Sequence, residues 1–187
     1  MKDNVKYRMM ETRIINDVKL KILMVVAILM VFVGISEAFS QEVSVYRIQS
    51  LFLYNFTKHV KWENTSGEFT VGIYGNSKAF EEIKSNLSNK SVWGKKVNVI
   101  EISSPSELSN CHIAYIPKSN RKKILDFIEG ANLSNTLLVT EDDLMNNGAA
   151  ISFVYEQSKM KFKISKDKIE EVGLKVSSSL ISIGIPV

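Results

Sequence analysis

The stretch FTVGIYGNSKAFEEI, from Phe69 to Ile83, contains the structural unit on which the fold prediction rests. Its first six residues are rich in β-branched and aromatic side chains and indicate a short strand. Gly75, Asn76 and Ser77 follow, and this combination can turn the chain and cap a helix. An amphipathic helix is predicted next, because apolar side chains recur at helical spacing at Ala79, Phe80, Ile83 and Leu87.

The same order of strand and helix continues along the chain. Further strands are predicted at VNVIEI (97–102), HIAYI (112–116) and TLLVT (136–140). Helices are predicted to begin at Ser104-Pro105, at about Asn120 and at the acidic run Glu141-Asp142-Asp143. Alternating strands and helices indicate a mainly parallel sheet with helices on both faces.

The pattern changes after this run. AISFVY (150–155) and MKFKI (160–164) are separated by four polar residues, which predicts an antiparallel hairpin. A hairpin strand at the edge of a mainly parallel sheet is common. The predicted fold class is therefore α/β, a single three-layer domain with a mainly parallel sheet of five or six strands and a C-terminal hairpin followed by a helix.

The C-terminal helix is predicted to start at Asp167, with Glu170 completing a capping box. Its apolar stripe runs from Ile169 to Ile183 and includes Gly173. We expect Gly173 to pack directly on the sheet, since a glycine is tolerated in a helix where another backbone approaches closely. The apolar tail Ile185-Pro186-Val187 either lies against the sheet edge or binds a partner.

A helix over residues 45–60 precedes the first strand. Its apolar stripe is predicted at Ile48, Leu51, Phe52 and Phe56. Asn55 and His59 continue that stripe, and we expect Asn55 to bridge backbone groups of a neighbouring loop, because buried polar groups need such partners. Trp62 follows the helix and can cap the core or present a surface; its usual burial favours the core.

Residues 1–40 have the layout of a secretory signal peptide. A basic segment is followed by an apolar run over residues 22–35 and then by Ala38-Phe39-Ser40. The run is shorter than the roughly 20 residues of a membrane-spanning helix. We therefore predict cleavage after Ser40 and an exported mature domain over residues 41–187. A lipoprotein anchor is not predicted, because no cysteine follows the apolar run.

The charge balance argues against one class of partner. The chain carries 24 Lys or Arg against 20 Asp or Glu, a formal net charge of +4. A nucleic-acid-binding protein normally shows a strongly basic face. We therefore expect no nucleic-acid partner.

Residues that could carry chemistry are few. Cys111 is the only cysteine, which excludes an intramolecular disulfide. His112 follows it in a strand and points to the opposite face, so only His59 could activate a Cys111 nucleophile. Two histidines and one cysteine do not predict a metal site, and no cofactor is expected. The sequence argues against an enzyme, and Cys111 is expected to be a small buried side chain.

A small-ligand site is the second functional hypothesis. Ligands of open α/β sheets tend to bind beyond the carboxyl ends of the strands. The residues that this edge would gather are Gly75, Asn76, Ser77, Thr140 and Glu141.

Several motifs occur in a recognisable order. They are LFLYNFTKHVKWE, VGIYGNS, VWGKKVNV, the dipeptide CH in CHIAYI, TLLVTED, MKFKIS and VGLKVSSSLI. This succession resembles the YfiR/HmsC-like family of periplasmic regulatory proteins, and the resemblance covers roughly residues 46–183. The positions that it marks as structural are Asn55, Trp62, Cys111, His112 and Gly173.

The resemblance implies a periplasmic regulator without catalysis of its own. The best-known members bind the periplasmic sensor region of an inner-membrane diguanylate cyclase and hold it inactive. Release of the cyclase raises cyclic-di-GMP and moves cells toward biofilm. For this chain the resemblance implies a membrane signalling partner, either a diguanylate cyclase or a sensor kinase, and leaves a homodimer open.

The chain departs from the family in its cysteines. Many relatives carry a cysteine in the first strand that pairs with the cysteine of the CH dipeptide. The matching position here is Gly72, so Cys111 has no partner and a disulfide switch within the chain is excluded. The usual proline after the helix-ending tryptophan is Glu63 here, which leaves the shape of the next loop open.

Overall fold

The computed structural model describes residues 44–63, 67–75, 77–119 and 121–187, without the side chain of Ser77. The predicted signal peptide and its cleavage site lie outside the described residues. Within the described part of the chain, no helix is both long enough and apolar enough to cross a membrane.

Helices and strands alternate through most of the domain. The helices are α1 (Val45–His59), α2 (Ser77–Leu87), α3 (Arg121–Glu129), α4 (Lys166–Glu171) and α5 (Ser178–Ile183). The strands are β1 (Val60–Lys61), β2 (Phe69–Tyr74), β3 (Ser91–Val92), β4 (Lys95–Ile102), β5 (Ile113–Ile116), β6 (Leu137–Thr140), β7 (Ile151–Glu156), β8 (Lys159–Ile164), β9 (Lys175–Val176) and β10 (Ile185–Pro186). Short 3₁₀ helices lie at Pro105–Asn110 and Met145–Asn147.

The main sheet has eight strands in the order β10-β8-β7-β6-β5-β2-β4-β3. Its central pairs, from β4 through β2, β5 and β6 to β7, are parallel, and β7–β8 is the antiparallel hairpin. The predicted α/β class, the mainly parallel sheet and the hairpin are confirmed. The sheet exceeds the expected five or six strands because β3 and β10 have two residues each, too few to leave a sequence pattern. A separate antiparallel ladder joins β1 to β9.

Two apolar clusters cover the two faces of the sheet, as a three-layer domain requires. The larger cluster packs under α1, α2, α4 and α5, and Phe69, Val71 and Ile73 of β2 point into it. The smaller cluster packs under α3 and the first 3₁₀ helix, where Leu108, Cys111 and other residues are buried. Successive residues of a strand point to opposite faces, so Gly72 lies on the side of the smaller cluster.

Helix α1 buries a face that overlaps only partly with the predicted one: Phe56 is buried as expected, and the other fully buried positions differ. The residues that it buries are Gln49, Ser50, Leu53, Phe56 and Thr57. Leu51, expected in the core, is 56% exposed, and Ile48 and Phe52 are half-buried. Ser50 and Thr57 can be buried because each hydroxyl donates a 2.6 Å hydrogen bond to a backbone carbonyl about one turn earlier.

The predicted C-terminal helix is divided into α4 and α5. The N-cap of α4 is Ser165, whose hydroxyl accepts the Lys168 N–H, and not Asp167. Helix α4 ends where Gly173 adopts a φ of +82°. The prediction that Gly173 packs on the sheet inside a continuous helix is therefore wrong.

The end of α4 has the hydrogen bonds of a Schellman motif. Gly173 N–H donates to the Glu170 carbonyl at 3.0 Å, and Leu174 N–H donates to the Ile169 carbonyl at 3.1 Å. Leu174 and Ile169 are both buried, which supplies the apolar contact that accompanies such endings. Gly173 thus serves to reverse the chain.

The acidic run after β6 does not begin an α-helix. Asp142 forms a 3.4 Å ion pair with Lys118, and Asp143 forms a 2.7 Å ion pair with Lys163. Only the 3₁₀ turn at Met145–Asn147 follows. The acidic side chains therefore contact other loops and strands, and the prediction of a helix at this point is wrong.

The C-terminal tail completes the sheet. Strand β10 runs parallel to the end of β8, and Val187 N–H donates a 3.0 Å hydrogen bond to the Ile164 carbonyl. A close approach is found instead at Gly184, where a Cβ atom would lie 2.6 Å from the side-chain atom Phe162 Cε2. Of the two alternatives for the tail, the structure shows contact with the sheet edge.

Candidate functional site

The carboxyl edge of the sheet holds the residues that were expected to contact a ligand. The Thr140 hydroxyl lies 2.8 Å from the Ser152 hydroxyl. The Glu141 carboxylate accepts a 2.7 Å hydrogen bond from Lys118 N–H. Gly75 is exposed, and its N–H donates to the last carbonyl of β4 at 3.2 Å. The Thr140 hydroxyl, the Glu141 carboxylate and the Gly75 N–H therefore all have hydrogen-bond partners within the fold.

Two of the expected contacts are not covered by the structure. Asn76 lies outside the described residues, and so does the side chain of Ser77. A ligand site formed by these residues with Gly75, Thr140 and Glu141 stays a prediction.

A buried polar pair lies beneath α1 near the same edge. Tyr115 donates its hydroxyl to Gln49 Oε1, and both residues are fully buried. Within the described residues, Gln49 Nε2 is buried without a hydrogen-bond partner. Burial first, and then the Glu141 charge, raise the pKa of Tyr115 far above its ordinary value. The phenol therefore stays protonated and acts as a hydrogen-bond donor.

The opposite, amino-terminal edge carries a group of four aromatic rings, each of which contacts at least two of the others: Trp62, Phe69, Trp93 and His112. We call this group the aromatic cluster. Trp62 and Phe69 meet edge to face at 5.2 Å between centroids, and Phe69 and His112 are stacked at 4.6 Å. Trp93 lies 5.7 Å from Trp62 and 5.9 Å from Phe69. Trp62 is only 6% exposed, whereas Trp93 is 49% exposed.

His112 joins three segments at this edge. Its backbone N–H donates to the Thr70 carbonyl, and its carbonyl accepts bonds from Leu137 N–H at 2.9 Å and from Trp62 Nε1 at 3.0 Å. Its ring Nδ1 accepts the Thr70 N–H at 3.1 Å. Because Nδ1 is an acceptor here, the neutral ring carries its hydrogen on Nε2. Burial first, and then Lys95, lower the pKa of His112 below its ordinary value.

These contacts show where the positions marked by the resemblance lie. Trp62 links the end of α1 to the sheet through the His112 carbonyl. Asn55 does not tie the helix to a loop, because it is exposed and its Oδ1 accepts only a 3.2 Å bond from Lys58 among the contacts that the structure describes. The expectation for Asn55 was therefore wrong, and it arose from the incorrect phase assigned to α1.

Trp93 has an unusual backbone conformation. It and Gly94 form the two-residue loop between β3 and β4, with φ values of +50° and +77°. Loops with positive φ at both positions favour Asn, Asp or Gly first. A left-handed conformation costs other residues roughly 1–2 kcal/mol. The sequence analysis included Trp93 only as part of the motif VWGKKVNV and assigned it no role, although a tryptophan before a glycine in a two-residue hairpin loop was the available signal.

An open cleft of about 450 Å³ lies beside the aromatic cluster, and we call it the amino-edge cleft. Cys111 and His112 are among the residues that line it. Its polar lining comes from Glu68, Thr70, Ser109, Asn110, Ser134 and Asn135. This volume lies within the range of small-ligand sites. The sequence analysis did not predict a site here, because the lining comes from separate loops.

The Cys111 thiol is not arranged as a nucleophile. Cys111 is 3% exposed, its Sγ donates weakly to the Glu107 carbonyl at 3.5 Å, and it packs against Gly72. Burial, and then the Glu107 charge, raise the pKa of Cys111 to about 11. A reactive cysteine needs a stabilised thiolate. The thiol is therefore held in its unreactive, protonated form.

His59, the residue that could have activated Cys111, has other partners. Its Nδ1 lies 3.1 Å from Ser177 Oγ and 3.3 Å from Ser179 Oγ. Its backbone carbonyl accepts the Ser177 N–H at 2.8 Å. His59 thus joins the end of α1 to the start of α5. Among the described residues, no three His, Cys, Asp or Glu side chains are grouped so that they could hold a metal ion.

Comparison with known proteins identifies a family for most of the described domain. A family model described as YfiR/HmsC-like matches residues 46–184. No curated protein matches the chain.

Two solved structures share the fold at low sequence identity. One is an ABC domain in complex with L-Trp from Streptococcus pneumonia, with a TM-score of 0.53 and 16% identity over 76% of this chain. The other is a conserved domain protein from Vibrio cholerae, with a TM-score of 0.54 and 13% identity, also over 76% of this chain. The chain spans 60% of the length of each of these proteins. At these identities the likeness concerns the fold alone.

Proposed function

Since the chain belongs to the YfiR/HmsC-like family, we propose that it is a non-catalytic regulator of an inner-membrane signalling protein. The family is one of periplasmic regulators. In the proposal, the domain binds the extracytoplasmic sensor region of a diguanylate cyclase or a sensor kinase and represses it. Release of a cyclase would raise cyclic-di-GMP and promote biofilm. The predicted signal peptide supports export to the periplasm.

The state of the candidate catalytic groups supports a binding role. The Cys111 thiol is buried and protonated, and both ring contacts of His59 at Nδ1 are with serine hydroxyls. A nucleophilic pair needs its two side chains within hydrogen-bond reach. His59 bonds the two serines and not Cys111, so Cys111 does not form such a pair with His59.

The observation that carries the proposal of an interface is the exposure of Trp93. The ring is about half exposed, yet its position is fixed by contacts with Trp62 and Phe69. Residues with unfavourable backbone conformations tend to occur at functional sites. Tryptophan is also enriched among the residues that dominate binding energy in interfaces. We therefore place the partner-binding surface at Trp93 and the edge strand β3.

The first test is co-purification of the tagged protein from cell envelopes. An inner-membrane protein with an extracytoplasmic sensor domain should be enriched above an unrelated exported control. The purified sensor domain should then bind the protein directly. If no such signalling protein is enriched, the proposal is contradicted.

Two matched variants locate the surface. Trp93→Asn should lower affinity for the sensor domain at least tenfold, because loss of an interface tryptophan commonly costs 2 kcal/mol or more. Leu51→Asn is the control, since Leu51 is also an exposed apolar residue but lies on the outer face of α1. If both variants lose the same affinity for the sensor domain, or if neither loses affinity, the interface does not lie at Trp93.

A small-ligand module is the second candidate function, and the amino-edge cleft is the observation that favours it. The ABC domain of similar fold was solved with L-Trp. A thermal-shift screen with nucleotides and amino acids tests this function, because a ligand at 100 times its Kd adds about 2.7 kcal/mol of stability. The absence of any shift with these ligands and with neutral sugars would favour partner binding alone.

A further inference from the structure

We propose that the amino-edge cleft binds a neutral, polyhydroxylated ligand, that is, a sugar. The cleft lies at the end of the sheet opposite to the one where ligands of open α/β domains are usually found. Its position thus does not follow from the fold class, and the argument rests on the lining. The proposal rests on the small-ligand function given above as the second candidate, whereas the signalling partner is assigned to Trp93, which is not part of the cleft lining.

The charges of the lining argue against an anionic ligand. Among the described residues that line the cleft, Glu68 is the one with a formal charge at neutral pH. His112 has a lowered pKa, so its ring is neutral at that pH. Lys95 is close enough to His112 to act on it, but Lys95 is not part of the lining. A phosphate or carboxylate would therefore meet a carboxylate and no paired cation, which is unfavourable.

The hydrogen-bonding groups suit hydroxyl groups. Each hydroxyl both donates and accepts, so it is best held by groups that offer both functions. Asn110 and Asn135 each provide an amide with a donor and an acceptor, while Thr70 provides a hydroxyl that does the same. Glu68 adds an acceptor, and the Nε2–H of His112 is a donor because Nδ1 is already bonded to Thr70 N–H.

Aromatic surface adjoins this polar lining. His112 belongs both to the cleft and to the stack on Phe69, and Phe69 contacts the half-exposed ring of Trp93. A sugar has apolar C–H faces as well as hydroxyls, so a flat ring beside amide and hydroxyl groups complements both parts. The combination of a cleft without cationic side chains, paired donors and acceptors, and the His112 ring in the lining assigns the ligand class.

Tryptophan fluorescence provides the first measurement. The chain has two tryptophans, Trp62 and Trp93, and both belong to the aromatic cluster. The purified protein is titrated with glucose, N-acetylglucosamine and maltose, and binding is confirmed by calorimetry. At least one of these should give a saturable change in fluorescence. Glucose 6-phosphate, which adds negative charge to the same ring, should bind at least tenfold more weakly than the neutral sugar that binds.

Two variants distinguish the cleft from any other binding surface. Asn110→Ala should weaken sugar binding about tenfold, as expected for loss of a hydrogen-bonding partner. Asn55→Ala, an exposed asparagine on α1 outside the cleft, should have no effect. Absence of binding to every sugar, equal binding of glucose 6-phosphate, or unchanged binding by Asn110→Ala would overturn the proposal.

Discussion

A Cβ atom at Gly72 would lie 2.5 Å from the Sγ of Cys111 and 3.2 Å from two carbons of the Ile102 side chain. Real Cβ atoms essentially never approach another atom as closely as 2.5 Å. The thiol therefore fills the space that a side chain at position 72 would need. Cys111, just before β5, can therefore occupy its position only because residue 72 is a glycine.

Gly72→Ala should destabilise the domain by about 1–3 kcal/mol, because the added methyl group overpacks the space beside the thiol. Urea unfolding measures the change in the free energy of unfolding. The cost should shrink when Cys111→Ala is introduced as well, since residues in contact give non-additive effects. Additive costs in the double variant would show that the two side chains do not compete for this space.

Gly72→Cys should form a disulfide with Cys111 under oxidising conditions. The bond would close a loop of about 40 residues, for which chain entropy predicts roughly 3–4 kcal/mol of stabilisation over the reduced form. Thiol titration and the unfolding free energy with and without reductant measure both effects. The double variant Gly72→Cys, Cys111→Ser is the control. Two titratable thiols after oxidation of Gly72→Cys would contradict the prediction.

The architecture could be predicted because its strands and most of its helices have strong periodic patterns. FTVGIY, HIAYI and TLLVT are apolar runs between turn residues, and each is a buried parallel strand. The phase of α1 could not be read in the same way, because apolar residues occur around most of the helix. Gln49 is buried since Tyr115 binds it, and that contact joins residues 66 positions apart.

The remaining errors have similar causes. The stripe from Ile169 to Ile183 is continuous in sequence, but Gly173 ends α4 through backbone hydrogen bonds that periodicity does not encode. Asp142 and Asp143 resemble a helix start until their lysine partners in distant segments are known. The amino-edge cleft was not predicted at all, because its lining comes together only after the strands have paired.

Trp93→Asn should leave the free energy of unfolding within about 1 kcal/mol of the wild type. Asn-Gly is the favoured pair in this kind of hairpin loop, so relief of strain offsets the lost aromatic contacts. Thermal and urea unfolding provide the measurement, and Trp62→Asn is the control. Trp62 is buried and its Nε1 bonds the His112 carbonyl, so Trp62→Asn should cost about 3 kcal/mol or more. Similar decreases in the free energy of unfolding of the two variants would contradict the distinct roles assigned to these residues.

Gly173→Ala should destabilise the domain by about 1–2 kcal/mol, because alanine resists the left-handed conformation that ends α4. The cost should not come from crowding, since the nearest atom to a Cβ at this position is Asn135 Oδ1 at 3.5 Å. Glu171→Ala, two residues earlier in the same helix, is the control and should change stability little. Chemical unfolding of both variants is the measurement. A Gly173→Ala variant as stable as the wild type would contradict this account of the turn.

The lowered pKa of His112 predicts a pH dependence of stability. Its contribution is fully present above the unfolded-state pKa of about 6.5 and is lost as the pH falls toward the lower folded-state value. Protonation would place an N–H at Nδ1, where Thr70 N–H already donates. Unfolding free energies should therefore decrease as the pH is lowered from about 7.5 to 5.5, and His112→Asn, which keeps an acceptor, should reduce the slope. If the unfolding free energy of His112→Asn depends on pH as steeply as that of the wild type, other titrating groups cause the pH dependence.

The ladder between β1 and β9 also has a kinetic consequence. Val60 pairs with Val176, and the carbonyl of His59 is bonded to Ser177, a residue 118 positions away. Contacts between such distant residues lower the folding rate, because a long loop must close before they form. Helix α1 can form early, but the hydrogen bonds at its C-terminal end can form only after the strands between residues 61 and 175 have formed. We therefore expect the docking of this helix to be a late step in folding and its release an early step in opening.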